Sequence, residues 1–140
     1  MNPGQLDNQT LQSTALGFVK RLRSFQEDIS RTNNEATMAR HQEMAEHHTD
    51  TQQEKTLRWN RHNTEDQRRR DSQKNKWLSE FRTDATLLYE ELLKRTGERR
   101  VLLVALDNAM LAGVNPVEEV AHQIEKLARK LSGPSPVTIQ

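Results

Sequence analysis

The chain has 140 residues, of which 33% are hydrophobic and 29% charged, with no cysteine and a formal net charge of +1. That length suits one domain or a small bundle with an extension, and the low apolar content argues against one core running through the whole chain. The lack of cysteine excludes a disulfide framework, a thiol nucleophile and a cysteine zinc site.

Charge is unevenly spread. Residues 1–54 carry 5 Lys/Arg and 8 Asp/Glu, residues 55–100 carry 13 and 8, and residues 101–140 carry 3 and 4. An anionic partner would therefore meet the middle of the chain. The N-terminal Met1-Asn2-Pro3-Gly4-Gln5 has neither a basic nor an apolar signal-peptide region. The longest apolar stretch, residues 101–112, is interrupted by Asp107 and Asn108 and falls short of the ~20 residues a membrane span needs. The expectation is a cytoplasmic protein.

In chain order, the first element is an amphipathic helix within residues 1–29. Leu11, Ala15, Phe18, Leu22, Phe25 and Ile29 are spaced 4-3-4-3-4, the pattern of a packed helix seam. Gly17 inside it costs up to ~1 kcal/mol. A membrane-surface role for this helix, helped by Lys20, Arg21 and Arg23, is the weaker reading, because a bundle needs the same face.

Residues 30–76 form a polar arm without Pro or Gly, in which only Ala36, Met38, Ala39, Met44, Ala45, Leu57 and Trp59 are apolar. Extending the heptad seam through it meets Thr32, Ala36, Ala39, Glu43, Glu46 and Asp50, mostly polar positions. Three arrangements stay open at this level: a straight solvated helix, an antiparallel hairpin, or disorder. Turn sites fall near Thr32-Asn33-Asn34 and near His48-Thr49-Asp50-Thr51. At the second, Thr51 and Glu54 have the spacing of a capping box.

Residues 77–131 read as a three-helix segment. Leu78, Phe81, Ala85, Leu88 and Leu92 continue a seam, and Gly97 stands where a helix would stop. A helix over 98–112 is apolar almost all round. A third begins with Asn115 as cap and Pro116 at its first position, with Val117, Val120, Ala121, Ile124, Leu127, Ala128 and Leu131 on one face. Residues 132–140, with Pro134 and Pro136, read as a flexible tail. The fold class is all-α: long helices forming a helical bundle or coiled-coil hairpin with a polar, charged extension.

Signals for chemistry are sparse. There is no phosphate-binding glycine loop, no His-Glu-x-x-His and no nucleophile elbow. Neither a catalytic group, nor a metal site, nor a cofactor is assigned. His41, His47, His48 and His62 lack the i, i+4 spacing that would let two share a metal, and read as a solvated face with a secondary reading as a pH response. Arg58, Arg61, Arg68, Arg69, Arg70, Lys74 and Lys76 form a basic run flanked by Trp59 and Trp77. Clustered cations beside aromatics suit phosphate or nucleic acid, but Glu65, Asp66 and Asp71 interrupt the run, and ion pairing is the plainer reading. Trp77, at the start of a seam, reads as core; Trp59, if exposed, is the better binding residue.

The functional expectation is a non-enzymatic assembly or adaptor protein. It would associate with itself through apolar seams, Leu11, Phe18, Leu22, Phe25, Ile29, Leu78, Phe81, Leu88, Leu92, Val117, Ile124 and Leu127, and also bind another protein, with the polar middle as a spacer or recognition arm. The alternative is a nucleic-acid-binding regulator that uses the basic segment 58–76.

Overall fold

The computed structural model describes residues 2–100 and 116–131, and all regular structure within them is helical. One 3-10 turn, Pro3–Gln5, precedes helix α1, Asn8–Glu46. Helix α2, Gln52–Lys76, passes through a π turn, Trp77–Phe81, into α3, Arg82–Thr96. Helix α4 is Pro116–Leu131. The described residues thus form an antiparallel helical hairpin, α1 joined to α2 and α3 by side-chain contacts, with α4 packed on α1 and α3 at its base.

The ends of the helices follow from local chemistry. Asp7 caps α1, its carboxylate accepting the Thr10 N–H at 2.7 Å. That bond holds the carboxyl below its ordinary range. Helix α1 does not stop at residue 29. Its next residues include good helix formers and no breaker, and the Thr32 hydroxyl donates back to the Asp28 carbonyl at 2.7 Å, within the helix. The chain reverses instead at the second anticipated turn. Thr51 caps α2, accepting the Glu54 N–H at 3.2 Å and donating its hydroxyl to the Glu54 carboxylate at 2.9 Å. At the far end Gly97 adopts φ 70°, the left-handed conformation that terminates α3, and its N–H donates to Leu93 O at 2.9 Å.

Residues 98–100 are not helical, and the rest of the helix expected over 98–112 lies outside the described residues, as do Asn115 and the tail 132–140.

The core sits at the base. From α1 it takes Leu11, Ala15, Phe18, Val19, Leu22 and Phe25. The π turn and α3 add Trp77, Phe81, Ala85, Leu88, Tyr89 and Leu92. The face of α4 made by Val117, Val120, Ala121, Ile124, Leu127 and Ala128 closes it. Burying each larger side chain is worth about 1.5–3 kcal/mol. Ile29, Leu78 and Leu131 are half-buried against its edge. The seam residues of the sequence reading therefore pack against one another within a single chain. Polar ties fix α4 to α1: Arg23 reaches Glu125 at 3.1 Å and Glu118 at 3.4 Å, and the Gln12 amide donates to Ala128 O at 3.0 Å.

One face of α1 runs the length of the hairpin. After Ile29 the inward residues are Asn33, Ala36, Arg40, Glu43 and His47, all half-buried between exposed neighbours. A strict heptad would have placed Thr32 and Ala39 there; both are exposed. The observed face follows a straight helix of about 3.6 residues per turn, whereas a heptad repeat lags by ~20° every seven residues.

The π turn re-registers the other strand. In α2 the inward positions are His62, Asp66, Arg69 and Gln73. Continued at about 3.6 residues per turn, that face would reach Glu80, Asp84, Leu87 and Glu91. The π turn inserts one residue, its Arg82 N–H donating to Trp77 O. The face emerges as Phe81, Ala85, Leu88 and Leu92, all buried. Trp77 takes the core position at the junction, fully buried and stacked on Phe81 at 6.4 Å, while Leu78 moves to the rim.

Candidate functional site

Above the base, the two arms of the hairpin are joined by polar groups. Asn33 Oδ1 accepts from Arg69 Nε at 2.8 Å and from Gln73 at 3.0 Å. Arg40 meets Asp66 at 2.5 Å, and Asp66 also accepts from Arg69 at 2.9 Å. Burial pushes the Asp66 carboxyl up, but Arg69 and Arg40 together outweigh it and hold the group below its ordinary range. Glu43 is the most heavily engaged acid. It accepts from Arg61 and, at 2.9 Å, from Arg58. His62 Nε2 lies 2.9 Å from its other oxygen, without the alignment of a hydrogen bond. The bond from Arg61, working against burial and joined by the bond from Arg58 and the charges around it, lowers the Glu43 carboxyl to about 2. Arg58 also clamps Asp50 at 2.6 Å, which ties the turn to α2.

This ladder accounts for much of the basic run. Arg58, Arg61 and Arg69 are engaged across the hairpin, and Lys76 lies over the Phe25 ring at 5.7 Å. Arg68, Arg70 and Lys74 have no ion-pair partner among the described residues. Arg68 and Arg70 are exposed and Lys74 is half-buried. The structure thus divides the run into an inner set that closes the hairpin and a smaller outer set.

The large apolar side chains left in solvent are concentrated in the arm: Met38, Met44, Leu57 and Trp59, with Leu87 the one further example among the described residues. Met44 and Trp59, 59% and 64% exposed, face each other across a groove of about 500 Å³ at the tip. His47, His48, Lys55 and Arg58 border it, with Gln52 and Thr56 between them and Arg40 and His62 beneath. Among the described residues no cluster of three or more His, Cys, Asp or Glu is arranged to hold a metal ion. His48 Nδ1 sits 3.1 Å from Ala45 O, and His47 Nδ1 sits 3.6 Å from Asp50, so these rings are oriented by the turn.

The sequence singled out Trp59 conditionally and Arg58 as basic, but missed Met44, Lys55 and the groove itself. A signal for them was present. Folding the chain on itself at Thr51 sets Glu43 opposite Arg58 and Arg61, Arg40 opposite Asp66, and Met44 opposite Trp59.

No family model matches this chain, and comparison with curated proteins and with solved structures found no match. No helix among the described residues is long and apolar enough to cross a membrane.

Proposed function

We propose that this chain is a non-enzymatic interaction protein, an assembly or adaptor element whose helical base carries a hairpin arm and whose arm tip contacts another protein. The observation that carries this reading is the exposure of Met44 and Trp59 side by side at the end of an otherwise polar hairpin. Exposed aromatic and methionine side chains in a concave setting are typical anchors of protein interfaces. Among the described residues the seam side chains pack on one another within the chain, which favours a surface such as this one for contacts with other molecules. Self-association belongs to the same reading, with the tip of a second copy as the contact.

The test is site-specific photo-crosslinking of the full chain in its source cell, with a photoreactive residue in place of Trp59 and, as control, at the exposed Gln67. Discrete protein adducts at 59 and not at 67 support the proposal. An adduct of twice the chain's 16.3 kDa marks self-association. Equal, diffuse labelling at both sites removes the reading.

A second reading, nucleic-acid binding, rests on the outer cations Arg68, Arg70 and Lys74. Replacing Arg68 and Arg70 by Gln should then weaken binding to DNA or RNA and flatten its salt dependence. An unchanged salt slope in a binding assay counts against it.

A further inference from the structure

The groove at the tip has a one-sided chemistry. Its lining combines cations and imidazoles with the apolar Met44 and Trp59, and no carboxylate lines it. None of the acids of the tip is part of that lining. Glu43 and Asp50 are turned into the ladder, Glu54 accepts from the Thr51 hydroxyl, and Glu46 accepts from Gln42 at 3.3 Å. Arg58 is already committed, with Nε and Nη2 on Asp50 and Nη1 on Glu43. Lys55 is different: it is exposed and has no ion-pair partner among the described residues. Among the residues that line the groove, the charge without an ion-pair partner is thus that of Lys55, and it sits beside the apolar Met44 and Trp59.

Resting on the reading of this chain as an interaction protein, we infer that the groove receives a short acidic segment of a partner protein. One large apolar side chain of that segment sits on Trp59 and Met44, and its carboxylates face Lys55 and the His48 ring. The groove volume is in the range of sites that hold a few side chains rather than a domain. Charge complementarity and a single desolvated anchor are the usual division of labour in such contacts, the first setting specificity and the second affinity. A nucleic acid strand fits less well, because it needs a continuous track of cations. The next cation of α2 without an ion-pair partner among the described residues, Arg68, lies 13 residues beyond Lys55, roughly 20 Å along the helix.

The experiment uses the full chain and three capped nine-residue peptides: one Phe flanked by Glu, the same with Lys for Glu, and the Glu peptide with Ser for Phe. The readout is the pair of tryptophan indole N–H resonances. Trp59 is exposed and Trp77 is fully buried, so they report the tip and the core separately. The acidic Phe peptide should move the Trp59 resonance and leave that of Trp77 in place, with the other two peptides at least about tenfold weaker. Lys55→Glu should weaken the acidic peptide roughly tenfold. A Met44→Ser variant should weaken it comparably, and both substitutions are at exposed positions that leave the circular dichroism unchanged. Equal shifts with the Lys peptide, no shift with any peptide, or a stronger response to a thymidine oligonucleotide would overturn the inference. Crosslinked protein at residue 59 alongside such a failure assigns the partner another chemistry, whereas an absence of specific adducts there removes the interaction reading itself.

Discussion

Helix α1 passes through two environments, and the comparison between them explains the molecule. From Leu11 to Ile29 its inward face is Leu, Ala, Phe, Leu, Phe and Ile; from Asn33 to His47 the same face is Asn, Ala, Arg, Glu and His. The geometry is continuous because one period of about 3.6 residues serves both halves. Only the chemistry changes. At the base, apolar surface leaves water, a contribution that does not depend on the charge state of side chains. In the arm, half-buried ion pairs and amide bonds replace contacts that water could also make, so each pair contributes little and the ladder depends on its charges. The base supplies stability and the arm supplies reach.

The largest expected effect separates the two regions directly. Leu22 is fully buried at the base, so Leu22→Ala should cost about 3 kcal/mol, the range for a buried leucine that leaves a cavity. Thermal unfolding followed by circular dichroism measures it. The same truncation at Leu57, 63% exposed in the arm, should stay within ~0.5 kcal/mol. Similar losses at both positions would break the comparison.

Acid should act in the opposite place. The Glu43 carboxyl is lowered to about 2 in the folded chain from an ordinary 4.5. Its stabilisation is fully present above pH 4.5 and is lost as the pH falls from 4.5 toward 2, because the unfolded or open state takes up the proton first. Asp66 is lowered too and adds with the same sign. At the base Glu125 is held down by its bond to Arg23, with Arg129 assisting, but the apolar core around it does not titrate. Hydrogen exchange across this pH window should therefore show amides of 33–47 and 58–73 losing protection before those of 11–25. Glu43→Gln should reproduce part of the loosening at pH 7. Arm and base opening together at one pH would mean that they form a single cooperative unit.

The sequence was most informative where burial is strong. The apolar residues of α1, α3 and α4 could be assigned because removal from water requires apolar side chains at regular spacing, and few other arrangements tolerate Phe18, Leu22 and Phe25 on one stripe. The turn was legible as a candidate because Thr51 and Glu54 have a specific mutual chemistry. The arm was not, since Asn33, Arg40 and Glu43 suit solvent as well as a polar seam, and only the facing strand tells the two apart. Extrapolating a heptad compounded this by pointing to Thr32 and Ala39 in place of Asn33 and Arg40. The π turn left no readable mark either: Leu78 and Phe81 make as good a seam on paper as Trp77 and Phe81.

Smaller effects sharpen the boundary. Thr51→Ala removes a hydroxyl that both accepts the Glu54 N–H and donates to its carboxylate. The expected loss is ~1 kcal/mol. It should appear as faster exchange near the tip, with little change in the midpoint of global unfolding. A fall in that midpoint as large as Leu22→Ala produces would mean that the turn governs the base as well.

The smallest expected effect tests how the two regions are joined. If the π turn exists to bring the polar face of α2 and the apolar face of α3 onto one side, then removing one residue from it should be tolerated. Deleting Ser79, which is exposed and bonded only to Lys76 O at 3.5 Å, turns the segment into uninterrupted α-helix. Phe81, Ala85, Leu88 and Leu92 then fall where a period of about 3.6 residues from Gln73 places them. The loss should be below ~1 kcal/mol, since a continuous α-helical hydrogen-bond ladder replaces the π turn and the buried face is kept. Deleting the equally exposed Thr86 makes the contrast. It rotates Leu88 and Leu92 by roughly 100° relative to Ala85 and takes two fully buried leucines out of the core. Thermal midpoints of the two deletions should therefore differ widely. Equal damage from both would show that the π turn has a role beyond register, such as seating Trp77 against Phe81.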